Sequence, residues 1–137
     1  MRLTAEVQTQ VRARANRLCE YCGRPDWFSP APFAMDHIFP IIRGGTDSMD
    51  NLAYACGGCN GVKYDAVEAL DPTTGQSAPL VHPRRDRWTD HFIWNPDQTE
   101  LIGITPTGRA TIARLKLNRT EVVRLRRILP FLPPPEG

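Results

Sequence analysis

Apolar positions along this chain follow two rhythms. Val7, Val11, Ala15 and Leu18 recur at helical spacing behind Thr4, a good cap, and predict a helix over residues 4–18. Arg12, Arg14 and Arg17 would decorate its other faces as a solvated surface. Residues 33–38 then predict a short strand ended by Pro40, and residues 51–55 a second strand returning antiparallel to it. A helix is predicted from Asn60 to about residue 70, with Val62, Ala66, Ala69 and Leu70 on one side. After a turn at residues 71–75, strands are predicted at 80–83, 92–94 and 101–104. Asn95-Pro96-Asp97 joins the last two as a hairpin. Residues 107–115 predict a helix, and Asn118-Arg119-Thr120-Glu121 fits a capping box opening another, with Val122, Leu125 and Leu129 on one face. Trp88 and Trp94 read as core residues, and Trp27 and Phe28 as packing over the preceding turn. The fold class is α+β. Residues 1–71 form the core, residues 72–129 a hairpin and basic helical extension packed on the same domain, and residues 130–137 a Pro-rich disordered tail.

Composition narrows this picture. A chain of 137 residues suits one domain with a modest core, and 13 prolines imply much loop. Such a core often needs a staple, and inside a cell a metal is the usual one. A net charge of +2 is too small to establish nucleic-acid binding. Its distribution says more: Arg109, Arg114, Lys116, Arg119, Arg124, Arg126 and Arg127 face only Glu121 within that stretch. No apolar h-region opens the chain and no apolar run reaches membrane-span length, so the expected compartment is the cytoplasm and no membrane partner is expected. In that reducing setting, paired cysteines bind metal more readily than they form disulfides.

All four cysteines fall into two pairs, Cys19-Glu20-Tyr21-Cys22 and Cys56-Gly57-Gly58-Cys59. Thiolates at i and i+3 on a knuckle can share one tetrahedral ion, and two such pairs complete a closed structural Zn²⁺ site. The insert is longer than that of a simple zinc ribbon, as expected if the zinc clamps the ends of a functional segment. That segment holds Asp36 and His37, and Asn60 and Lys63 follow the second pair on one helix face. A carboxylate and an amide oxygen suit a hard catalytic cation, Mg²⁺ or Mn²⁺. A neutral imidazole can take a proton from water, and a lysine can neutralise phosphate. These are the parts for phosphodiester hydrolysis. Asp36 and His37 are adjacent on a strand and would point to opposite faces, so a local break in that strand is expected.

The run Cys19-x-x-Cys22, Asp36-His37-Ile38-x-Pro40, Gly44-Gly45, Asn51-Leu52, Cys56-x-x-Cys59-Asn60-x-x-Lys63 resembles an HNH endonuclease. It resembles the ββα-metal variant with two zinc-binding CxxC pairs, over about a third of the chain. The resemblance implies that Asp36 and Asn60 hold the catalytic metal and His37 is the general base. It further implies that Asn51 orients the His37 loop and Lys63 contacts phosphate. Asn60 in place of the final histidine favours Mg²⁺ over a tight transition-metal site. The implied function is cleavage of DNA, with RNA as another substrate and a homodimer or partner protein as a source of specificity. The alternative is a zinc-stabilised nucleic-acid-binding module without catalysis. In the second half Arg84, Arg85 and Arg87, with His82 and His91 nearby, are candidates for tracking the phosphate backbone. Residues 88–127 are weakly similar to a tail of bacterial HNH proteins, and that similarity implies no role.

Overall fold

The computed structural model describes residues 3–129. The first helix, α1 (Ala5–Arg14), is capped by Thr4, whose hydroxyl accepts from the Val7 amide at 3.2 Å. It ends before the periodicity predicts, because Asn16 and Arg17 adopt positive φ (55° and 62°) and swing the chain into the first knuckle. Arg12 and Arg17 are exposed, as a solvated face would have them, whereas Arg14 is partly buried. Arg14 donates to the carbonyls of Met49 and Leu52 at 2.8 and 2.6 Å, and Arg12 and Arg17 converge on Asp26. Trp27 and Phe28 are exposed rather than packed over the knuckle, and the Arg17 guanidinium lies 5.3 Å from the Trp27 ring centroid.

Strands β1 (Ala34–His37) and β2 (Leu52–Ala55) pair antiparallel, Asp36 opposite Ala53 and His37 opposite Leu52. Every residue of β2 is buried, because α1 lies against it. Helix α2 (Gly57–Lys63) follows, so the order is ββα. The helix starts earlier and ends sooner than predicted, and its cap is Cys56, not Asn60. Residues 68–70 leave it entirely and form β3 (Glu68–Leu70), paired with β4 (Ser77–Pro79). The reason is local. Only Ala69 turns inward in that strand, a period of two, and Asp71 then closes the turn by accepting from the Thr73 amide and the Thr74 hydroxyl. The strand expected at residues 80–83 is therefore shifted to 77–79. Leu80 and Val81 are buried loop residues, and the Val81 amide donates to the Thr111 hydroxyl at 2.9 Å.

A short helix absent from the sequence reading, α3 (Trp88–His91), leads into the hairpin of β5 (Phe92–Trp94) and β6 (Leu101–Gly103). Then come α4 (Pro106–Leu115), capped by Thr105, and α5 (Thr120–Ile128). The expected capping box does not form. Arg119 occupies the cap position, and the Asn118 amide pairs with the Leu101 backbone, accepting at 2.8 Å and donating at 2.9 Å. A side chain thus satisfies the β6 edge. The architecture is α+β, with three separate two-stranded antiparallel sheets. One apolar cluster joins Val11, Tyr21 and Leu52 to Trp88, Phe92, Leu115 and Val122. The Pro-rich tail lies outside the described residues. Among the described residues, no helix is long and apolar enough to cross a membrane.

Candidate metal centre and catalytic cleft

The knuckles bring all four sulfurs within 4.8 Å of one another, and every cysteine is buried. Cys22 Sγ and Cys56 Sγ are 3.7 Å apart, too far for a disulfide and close to the ~3.8 Å edge of a tetrahedron with ~2.3 Å Zn–S arms. Amide groups aim at the sulfurs, Cys22 N at Cys19 Sγ and Cys59 N at Cys56 Sγ, both at 3.4 Å. Burial pushes the Cys19 thiol up. A buried cluster of thiolates needs a cation, and this donor set fits Zn²⁺ with no position left for substrate.

The centre has a partner that the sequence did not advertise. Arg119, far along the chain, donates to Cys56 Sγ at 3.4 Å and to Cys59 Sγ at 3.6 Å. Gly58 makes room for it, since a Cβ there would lie 2.7 Å from the guanidinium. Arg126, also buried, donates to the Cys22 carbonyl at 3.1 Å. On the other knuckle, Glu20 accepts from the Tyr54 amide at 2.7 Å and forms an ion pair with Arg84. Four of the ten basic residues of the extension are therefore tied inward: Arg84, Arg109 (on Asp71), Arg119 and Arg126 hold the two halves together. Groups that donate to metal-bound sulfur typically tune affinity 10–100-fold. Arg119→Ala is expected to speed zinc transfer to a chromogenic chelator by about that factor, while the stoichiometry at purification stays unchanged.

Asp36, His37 and Asn60 line one cleft of about 420 Å³ with Pro40, Ile41 and Tyr64. The expected break between Asp36 and His37 is absent, as both are paired in register. Both nonetheless line that cleft, and among the described residues β1 pairs with β2 alone. His37 is half-buried and its Nε2 lies 2.8 Å from Asp47 Oδ1. The loop after it, residues 39–46, is pinned by Asn51. The Asn51 amide accepts from Phe39 N at 2.8 Å and donates to Phe39 O and Thr46 O at 2.9 and 2.8 Å. Gly45 is required there, because any Cβ would collide with the Phe39 carbonyl.

Asp36 is buried. Its Oδ2 accepts from the Tyr21 hydroxyl at 2.7 Å, and the Lys63 ammonium sits 3.2 Å from Oδ1 and 3.1 Å from Oδ2. Burial raises the Asp36 pKa, and Lys63 and Tyr21 oppose that rise. Lys63 also donates to the carbonyls of His37 and Ile38 at 3.3 Å. It is 1% exposed, so its reach is to Asp36 and the β1 backbone rather than to a ligand in solvent. Lys63→Met would strand a buried carboxylate, a change that typically costs about 3–5 kcal/mol. The expected result is a markedly lower urea midpoint, with the slope of the transition unchanged. Asp36 and Asn60 line the same cleft, and a carboxylate and an amide oxygen are donor types that suit a hard cation.

Tyr21 and Asp47 had no signal of their own in the sequence. One is an x of a CxxC pair and the other a polar residue in a Gly-rich loop. Of the three arginines singled out for the phosphate backbone, Arg84 is consumed by Glu20, whereas Arg85 and Arg87 are exposed.

The ββα unit is thus clamped at both ends by a four-cysteine centre and carries a carboxylate, an imidazole and an amide on one cleft. Residues 19–66 match the family described as HNH endonuclease, and this segment is an HNH domain. No curated protein and no solved structure matches the chain.

Proposed function

We propose that the protein is a metal-dependent endonuclease that hydrolyses phosphodiester bonds of DNA. The observation that carries this reading is the convergence of Asp36, His37 and Asn60 on one cleft inside an HNH domain. His37 acts as the general base. With Nε2 held by the Asp47 carboxylate, that nitrogen carries the proton and Nδ1 is the free lone pair that takes a proton from water. Asp47 then stabilises the imidazolium. Asp36 and Asn60 would hold Mg²⁺ or Mn²⁺, which when bound supplies positive charge to the phosphate oxygens. Lys63 and Tyr21 keep Asp36 ionised and oriented, and Asn51 keeps the loop beyond His37 in register. One such site cuts one strand, so a double-strand break would take a second copy or a second event.

One observation favours a second reading, a zinc-stabilised nucleic-acid-binding module: both oxygens of Asp36 are already engaged. Supercoiled plasmid incubated with Mg²⁺ or Mn²⁺, with RNA in parallel, separates the two. The nuclease reading expects relaxed circles that disappear with EDTA. Binding without cleavage under every divalent metal would instead establish the module.

A further inference from the structure

A second cleft, about 770 Å³, lies across the 39–46 loop from the first. Phe39, Gly44 and Gly45 form one wall, while Pro40, Ile41 and Ile42 of the same loop face the catalytic cleft. The opposite wall comes from the extension and brings together His82, Arg85 and His91. Internal hydrogen bonds engage Nδ1 of both histidine rings. His82 Nδ1 accepts from the Arg84 and Arg85 amides, both at 3.2 Å, which leaves Nε2 as the N–H. His91 Nδ1 lies 2.6 Å from the Thr105 hydroxyl, which already accepts from the Gly108 amide at 3.0 Å. The Thr105 hydroxyl thus engages Nδ1 of His91, and Nε2 is an N–H when that hydroxyl donates or the ring is protonated. The Arg85 guanidinium has no ion-pair partner among the described residues. Two carboxylates also line this cleft: Asp86 accepts from the His82 amide at 2.8 Å and Asp50 from the Ser48 hydroxyl.

Two imidazoles and an unpaired guanidinium on one cleft suit an acceptor-rich ligand. We propose that His82, Arg85 and His91 form a subsite for a backbone phosphate of a nucleic-acid strand that crosses the 39–46 loop, one cleft away from the scissile bond. The subsite rests on the nuclease or binding reading of the HNH cleft, but it needs no catalysis.

The test is oligonucleotide binding by the full chain, followed by fluorescence anisotropy across a salt series. Arg85→Gln is exposed and should fold; a His82→Ala/His91→Ala variant is checked for zinc content and melting. Loss of a charge-assisted phosphate contact is expected to weaken binding about tenfold. The slope of log K against log salt should fall by about one for Arg85→Gln. In wild type, the His82 and His91 ring resonances should shift with oligonucleotide and not with the same concentration of inorganic phosphate. Folded variants with unchanged affinity and slope would overturn the subsite. So would equal shifts with inorganic phosphate and undiminished oligonucleotide binding, which mark a site for free phosphate. If wild type binds but never cuts, and Arg85→Gln weakens binding, the subsite stands and the nuclease reading fails. If wild type cuts and the variants bind normally, the subsite alone fails.

Discussion

Cys56→Ser is expected to lose the zinc and, with it, most of the stability of the fold. The substitution changes one atom, and serine keeps an oxygen able to cap α2, so loss of the cap cannot account for a large effect. What it removes is one of four sulfurs gathered within 4.8 Å. A structural zinc in a small domain is worth about 10–16 kcal/mol of apparent binding energy near neutral pH, and that energy is folding energy when the ligands meet only in the folded chain. Here they come from residues 19–22 and 56–59, with β1, β2 and the 39–46 loop between them. Arg119 and Arg126 carry the consequence into the extension, since their guanidinium groups lie against the sulfurs and the Cys22 carbonyl. The expected outcome is less than one zinc per chain by chromogenic assay and a fall in Tm of at least ~10 °C. Prolonged EDTA treatment of wild type should reproduce it. Full zinc stoichiometry in the variant would reject the four-sulfur centre.

His37→Ala is expected to abolish cleavage while leaving the fold alone. A positioned general base typically contributes about 10²–10⁴ in rate. The same side chain does little for stability. Its pairing with Asp47 is a partly exposed contact, worth at most about 1 kcal/mol. Plasmid relaxation should therefore fall by two or more orders of magnitude, with zinc content and Tm within error of wild type. Asp47→Asn keeps the ring but removes the charge that stabilises its protonated form, so its loss should be smaller. Equal activity of wild type and His37→Ala would sink the assignment of the base.

How much of this was readable beforehand follows from the range of the interactions. The N-terminal helix and the strands of the β1–β2 and β5–β6 pairs each carry a pattern local to their own residues, and the apolar pattern predicts all three. The helix predicted through residue 70 fails because Ala69 and Leu70 also satisfy a strand, and pairing with β4 decides between them. The capping box at Asn118 fails for a similar reason: the same amide makes two bonds to Leu101, which is distant in sequence.

The sequence by itself determined the cysteine pairs, the Asp36-His37 dipeptide and the spacing to Asn60 and Lys63, because ligand and catalytic chemistry constrain residue type and separation together. Only the tertiary structure decided where charge resides. Arg84, Arg109, Arg119 and Arg126 read as a basic surface but are internal struts, and Lys63 supports Asp36 from beneath β1. The physical reason is that a long cationic side chain can be solvated, or can be buried against a carboxylate, carbonyl or sulfur. The choice belongs to its partner, which in this chain often lies tens of residues away.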